Sequence, residues 1–200
     1  MNMLDKNNCQ EKTDEELVAL TLKNQDFFVC IVERYEPKLM RYIRRISAAT
    51  QEDAEDLLQE IFVKVYRNLY GFDTSLKFSS WIYRISHNQV VSHWRKTRMA
   101  QNVLKFEGNE DYLKILSSDE DLAQNVERKF TAEEVRRIIN KLDEKYREVL
   151  VLKFLEGKDY QEISDILQKP LGTVATLINR AKKQFRKIAE DKEIKFRIFS

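Results

Sequence analysis

The stretch Asp159-Tyr-Gln-Glu-Ile-Ser-Asp-Ile-Leu-Gln-Lys-Pro-Leu-Gly-Thr-Val-Ala-Thr-Leu-Ile-Asn-Arg-Ala-Lys-Lys183 decides how the C-terminal part of this chain folds. Its apolar residues recur at intervals of three and four: Ile163, Ile166 and Leu167, then Val174, Ile178, Ala181 and, just past its end, Phe185. That repeat predicts two helices, 160–167 and 171–190, broken by Gln168-Lys169-Pro170. A short first helix and a three-residue break is helix-turn-helix spacing. The face opposite the apolar stripe carries Thr173, Ala175, Thr176, Asn179, Arg180, Lys182 and Lys183. Hydroxyls and an amide near the helix start suit base edges in a DNA major groove, and the cations behind them suit phosphates. Gly172 permits close backbone approach at the helix entrance, and Pro170 pre-sets the dihedral of a first turn without supplying a side-chain cap. An ordinary helical hairpin with a solvated charged face has the same spacing, so this stretch alone leaves DNA binding open.

The rest of the chain agrees with an all-helical fold. Its 200 residues hold only 4 Gly and 2 Pro, whereas average usage would give roughly 24 together. Sheet-rich folds and glycine-loop nucleotide sites need more turn residues than that. Helix-start signals recur at Thr13-Asp-Glu-Glu16, Thr50-Gln-Glu-Asp53, Thr131-Ala-Glu-Glu134 and Asp159-Tyr-Gln-Glu162, each a cap oxygen three residues before a carboxylate. Apolar periodicity then predicts helices near 14–22, 26–47, 51–69, 78–98, 131–141, 144–155, 160–167 and 171–190, with a kink or restart at Pro37.

Charge divides the chain. Gln101 to Glu127 holds seven carboxylates against Lys105 and Lys114, a net −5 with weak helical repeat, and reads as a tether. Lys169 to Arg197 carries nine cations against three carboxylates, a net +6. No apolar run approaches the ~18 residues of a membrane span, and Met1 to Glu16 shows no hydrophobic stretch of a secretory signal. Cys9 and Cys30 have no C-x-x-C spacing; they suit a reducing cytosol and exclude a disulfide scaffold or a cysteine zinc site.

Two helices in the N-terminal half add chemistry. On 51–69, Asp53, Asp56 and Glu60 fall on one face with Gln59 beside them, a stripe that is either hydrated or docked on an arginine-rich partner. On 78–98, aromatic residues alternate with Arg84, Asn88, His93, Arg95, Lys96 and Arg98. Rings that stack on unpaired bases and cations that follow the backbone are what single-strand binding requires; the plainer reading puts Trp81, Ile85 and Trp94 in the core. His87 and His93 have no carboxylate or cysteine at ligand spacing, and Ser79 and Ser80 have no base nearby, so neither metal nor catalytic residue is expected.

The chain resembles the bacterial RNA polymerase sigma factors, specifically the small extracytoplasmic-function (ECF) group. The resemblance runs from Asp14 to Ile188. It rests on Asp14-Glu-Glu-Leu, Arg34-Tyr-x-Pro-x-Leu-x-x-Tyr42, Asp53-Ala-Glu-Asp-Leu-Leu-Gln-Glu-Ile-Phe-x-Lys-Val-Tyr-Arg67 and Phe78-x-x-Trp-x-Tyr-Arg-Ile-x-x-Asn88 with Arg95-Lys96. Leu142-x-x-x-Tyr-Arg-Glu-Val-Leu150, Tyr160-x-Glu-Ile163, Gly172-Thr-Val174 and Arg180-Ala-Lys-Lys183 complete it.

The resemblance implies an all-α protein of two small helical domains joined by an acidic linker. A disordered tail (1–12) precedes region 2 (13–99), the linker (100–129) follows, and a helix-turn-helix region 4 (130–200) ends the chain. It implies that Asp53, Asp56, Gln59 and Glu60 bind core RNA polymerase, whose largest-subunit clamp and flap are the expected partners. The −10 element would be opened and read by Phe72, Lys77, Phe78, Trp81, Arg84, Asn88, Arg95 and Lys96. The −35 duplex would be read by Thr173, Thr176, Leu177, Asn179, Arg180, Lys182 and Lys183. The linker would run toward the RNA exit channel. An anti-sigma partner and a cytoplasmic location are implied as well; no cofactor, metal or small-molecule substrate is expected, and no enzymatic activity. Ala175 and Leu177 stand where the family usually places basic residues, which shifts readout onto Thr173, Thr176, Asn179 and Arg180, and Pro170 replaces a frequent Ser cap. Two other classes compete: a stand-alone helix-turn-helix regulator, which has no use for the N-terminal acidic and aromatic faces, and a nucleic-acid enzyme, for which the first half lacks clustered carboxylates or a paired nucleophile.

Overall fold

The computed structural model describes residues 9–47, 49–74, 76–101 and 132–190, the side chains of 96–101, 132, 133 and 190 excepted. The described residues form helices α1 (Asp14–Lys23), α2 (Phe28–Ile46), α3 (Gln51–Asn68) and α4 (Phe78–Gln101) in one compact unit, and α5 (Ala132–Lys141), α6 (Glu144–Leu150), α7 (Tyr160–Leu167) and α8 (Leu171–Glu190) in a second. No strand occurs among them. The Thr131 cap, the acidic tether and the last cations, Lys192, Lys195 and Arg197, lie outside the described residues.

Reciprocal caps set three of the helix starts. Thr13 with Glu16, Thr50 with Asp53 and Asp159 with Glu162 each form a capping box, so two backbone donors that a helix start leaves bare are satisfied at each. Helix α2 runs through Pro37 without restarting. A 3₁₀ turn at Gln25–Phe27 precedes α2, and a π-helical segment, Val151–Leu155, continues α6.

In the first unit α2 packs against α1, α3 and α4, and α3 packs on α4. Leu17, Ile31, Leu39, Tyr42, Ile43, Leu57, Ile61, Leu69 and Ile82 are fully buried there. Each aliphatic side chain removed from water in this way is worth about 1.5–3 kcal/mol. Tyr42 packs on Tyr83 with ring centroids 5.0 Å apart, and its hydroxyl lies 3.3 Å from His87 Nδ1. His87 therefore sits in the core.

The cysteines correct the sequence reading. Cys9 and Cys30 form a disulfide, with Cα atoms 5.6 Å apart. Motif spacing speaks only of neighbours along the chain, whereas here a tertiary contact brings the segment before α1 against α2. Residues 9–12 fall within the expected tail, yet Arg34 donates to the Cys9 and Lys12 carbonyls at 2.5 and 2.8 Å and pairs with Asp14 at 2.7 Å. Tyr35 donates its hydroxyl to the same Asp14 carboxylate. Burial and the Asp14 carboxylate push the Tyr35 hydroxyl far up, so it remains a protonated donor.

In the second unit α6 and α5 pack on α8, and Val149, Leu152, Ile163, Ile166, Val174, Ile178 and Ala181 are buried. Gln168 takes the left-handed conformation (φ 52°) that ends α7. Ser164 holds this turn by donating its hydroxyl to the Lys169 carbonyl at 2.6 Å. Pro170 lies just before α8 rather than within its first turn, its carbonyl accepting from Thr173 and Val174 at 2.8 and 3.0 Å. Burial, with Glu144 nearby, pushes the Glu148 carboxyl up to about 7.

Candidate nucleic-acid interface

Helix α3 presents its acidic residues to solvent: Asp53, Asp56, Gln59 and Glu60 are all exposed, while Leu57, Leu58 and Ile61 turn inward. Asp53 also serves the helix start, accepting from the Thr50 hydroxyl at 2.8 Å. Glu60 accepts from Gln89 Nε2 at 2.6 Å, and Gln89 Oε1 in turn accepts from Lys64 Nζ at 2.8 Å. This chain of contacts ties the acidic face to α4.

The aromatic residues of the loop and of the start of α4 are covered, as the plainer reading of the sequence has it for Trp81. Phe72, Phe78 and Trp81 are 7%, 0% and 8% exposed. Their ring centroids lie 5.2–5.6 Å apart, and Tyr35 closes the cluster 5.6 Å from Phe78. As a mutually packed cluster they support the surface rather than offering open faces to bases; alternation of aromatic and polar residues says nothing about which ring is covered. Lys77, Asn88 and Arg95 are exposed and Arg84 is half-buried, whereas the Lys96 side chain lies outside the described residues. Glu15 Oε1 accepts from the Phe78 amide at 3.2 Å, and the Lys77 carbonyl accepts from Ser80 and Trp81, so the start of α4 is fixed from both sides.

One edge of Trp81 remains available. It lines a recess of about 290 Å³ with Lys64, Asn68, Gly71, Ile85 and Asn88. A partly apolar wall, two side-chain amides and a cation give this recess an aromatic surface, hydrogen-bonding groups and positive charge together. Lys64, Asn68 and Gly71 were not among the sequence candidates. Their signal is the four-residue step from Lys64 to Asn68 on the side of α3 facing Asn88, whose meaning depends on how α3 packs on α4.

On α8, Thr173, Thr176, Asn179, Arg180 and Lys183 are exposed, and Leu177 and Lys182 are half-buried. Thr176 donates its hydroxyl to the Gly172 carbonyl at 2.9 Å, and Lys182 Nζ sits 5.4 Å from the Phe154 ring centroid. Lys182 is therefore engaged with the body of the unit through a cation–π contact. Arg180 and Lys183 are exposed cations of this face.

Two family models match the chain, one to each unit: Sigma-70 region 2 over residues 31–99, and Sigma-70, region 4 over residues 132–185. Across both units it is 35% identical to the ECF RNA polymerase sigma factor SigW of Bacillus subtilis over 175 residues, covering 84% of this chain and 91% of that protein. The chain belongs to the ECF sigma factors. It is also 32% identical to the ECF RNA polymerase sigma-E factor of Escherichia coli K12, covering 86% of this chain and 92% of that one. Among solved structures, the sigma factor RpoE in complex with the anti-sigma factor NepR from Bartonella quintana superposes with a TM-score of 0.64 at 19% identity, over 82% of this chain and 96% of that one. CnrH, solved in complex with the cytosolic domain of CnrY, gives a TM-score of 0.65 at 23% identity, over 89% and 97%. The all-α, two-domain fold expected of an ECF sigma factor is thus found. No helix among the described residues is long and apolar enough to cross a membrane.

Proposed function

We propose that this ECF sigma factor binds core RNA polymerase, through its largest-subunit clamp and flap, and directs it to promoters, acting in the cytoplasm and without catalysis of its own. The observation that carries this reading is the presence, in one chain, of both sigma-70 regions with the exposed acidic face of α3 in the first and the exposed Thr173–Lys183 face of α8 in the second. Residues 13–99 form the polymerase-binding and −10 module, residues 100–129 the linker, and residues 130–200 the −35 module. Asp53, Asp56, Gln59 and Glu60 form the clamp contact.

The recess beside Trp81 receives a base flipped out of the −10 element, with Asn88 addressing its edge and Lys77, Arg84, Arg95 and Lys96 following the strand. Unpairing a base costs a few kcal/mol, and pocket contacts offset this without nucleotide hydrolysis. Phe72, Phe78 and Trp81 hold the recess in shape, and only Trp81 lends it an edge. The −35 duplex is read by Thr173, Thr176, Asn179 and Arg180, with Lys182 and Lys183 toward phosphates and Leu177 in apolar contact. An anti-sigma protein is the expected regulator; the solved RpoE was crystallised with one.

The class is tested by binding. The purified chain is expected to bind core polymerase tightly and promoter duplex alone weakly; tight specific binding to duplex without polymerase would favour the stand-alone regulator. Two substitutions test the sites. Asn88→Ala should impair strand opening, followed by permanganate reactivity of unpaired thymines, more than initial duplex binding; equal loss in both would remove Asn88 from the melting site. Arg180→Ala should cost about 1–3 kcal/mol at one base pair. A uniform loss across sequences with a shallower salt dependence would reassign Arg180 to phosphate.

A further inference from the structure

The Cys9–Cys30 pair, one sulfur ahead of α1 and the other on α2, has no part in the promoter recognition proposed for this chain. We infer that Cys9 and Cys30 form a redox latch, a dithiol–disulfide couple that small-molecule disulfides close and small-molecule thiols open, fastening the segment before α1 onto α2. The two cysteines are 21 residues apart in sequence and 5.6 Å apart at Cα. Contacts other than the bond between them also join the two segments. Arg34, one turn beyond Cys30 on α2, donates to the Cys9 and Lys12 carbonyls and pairs with Asp14, and Tyr35 donates to Asp14 as well. With the sulfurs reduced, these polar contacts still hold the Cys9 backbone beside Cys30. The two thiols then react as groups of one molecule, with an effective concentration far above that of free thiols in solution.

The exchange is balanced. Cys9, 9% exposed as a residue against 2% for Cys30, is the less buried of the two and is taken as the first to react. Its thiolate attacks a small disulfide RSSR, forming a Cys9–SR mixed disulfide and releasing RS⁻. The Cys30 thiolate then displaces the second RS⁻ from Cys9. Two protein thiols are oxidised, one RSSR is reduced to two RSH, and the reverse sequence reopens the latch.

The latch has a structural consequence at α4. The segment it anchors leads directly into Asp14 and Glu15, and Glu15 accepts from the amide of Phe78, the first residue of α4. Closing the latch therefore restrains the group that caps α4, in addition to reducing the freedom of the unfolded chain.

The test uses the full chain equilibrated with oxidised and reduced glutathione at graded ratios. Alkylation and mass measurement count free thiols, and tryptophan fluorescence follows melting of the first unit, since both tryptophans of the chain, Trp81 and Trp94, lie on α4. The two thiols are expected to disappear together, the melting temperature to rise by roughly 10 °C or more on closure, and exchange of the Phe78 amide to slow. Cys9→Ser and Cys30→Ser should each abolish the redox-dependent shift; should either variant fail to fold, the reduced and oxidised wild-type chain still make the comparison. Thiols that stay reactive at every ratio, a mixed disulfide that never resolves, or open and closed forms that melt together would each overturn the latch. None of these readouts involves polymerase or DNA, so failure here and failure of the promoter reading are separable.

Discussion

Replacing Asp56 and Glu60 together by lysine is expected to abolish binding to core polymerase while the protein stays folded. Both side chains are exposed on α3, and neither contributes to the buried face formed by Leu57, Leu58 and Ile61. Glu60 loses one hydrogen bond, from Gln89, a change worth about 0.5–1.5 kcal/mol. The effect on docking is far larger. If these carboxylates meet cations on the clamp, each reversal removes an attraction and places like charges together, several kcal/mol per site. The pair should weaken binding by roughly a thousandfold or more. Affinity for core polymerase, measured by fluorescence anisotropy alongside thermal melting, checks this. Unchanged affinity in a folded double variant would remove α3 from the interface.

Phe78→Ala is expected to destabilise the first unit by about 3–5 kcal/mol, as loss of a fully buried ring does. Phe78 is 0% exposed and packs on Tyr35, Phe72 and Trp81 with centroids 5.4–5.6 Å apart. Its removal leaves a void among the rings of Tyr35, Phe72 and Trp81. Domain stabilities are typically about 5–15 kcal/mol, so the loss should lower the denaturant midpoint seen by tryptophan fluorescence severely. A base-stacking role predicts the opposite pattern, impaired strand opening with stability intact. That pattern would contradict the packed cluster.

The contrast between α8 and α4 explains what the sequence disclosed. On α8 the apolar stripe Val174, Ile178, Ala181 and Phe185 is unbroken, so the outward positions Thr173, Asn179, Arg180 and Lys183 follow by elimination, and all four are exposed. Helix starts were equally legible, because a capping box is written within four residues, as Thr13–Glu16, Thr50–Asp53 and Asp159–Glu162 show. Helix α4 has too many large residues for one stripe. Which rings are covered depends on Tyr35 from α2, distant in the chain, and on how the preceding loop folds Phe72 back onto α4. The Trp81 recess has the same origin, since Lys64, Asn68 and Asn88 meet only once α3 packs on α4. The Cys9–Cys30 pair is a third case, a contact 21 residues apart that no local spacing announces.

Run-off transcription on a genomic fragment library, with core polymerase and the purified chain, tests the central claim most directly. Transcripts should start at a defined set of sites only when the chain is present, with shared sequence at the −10 and −35 positions and dependence on Asn88 and Arg180. The contrary result is a chain that binds DNA yet never makes core polymerase start RNA at any defined site.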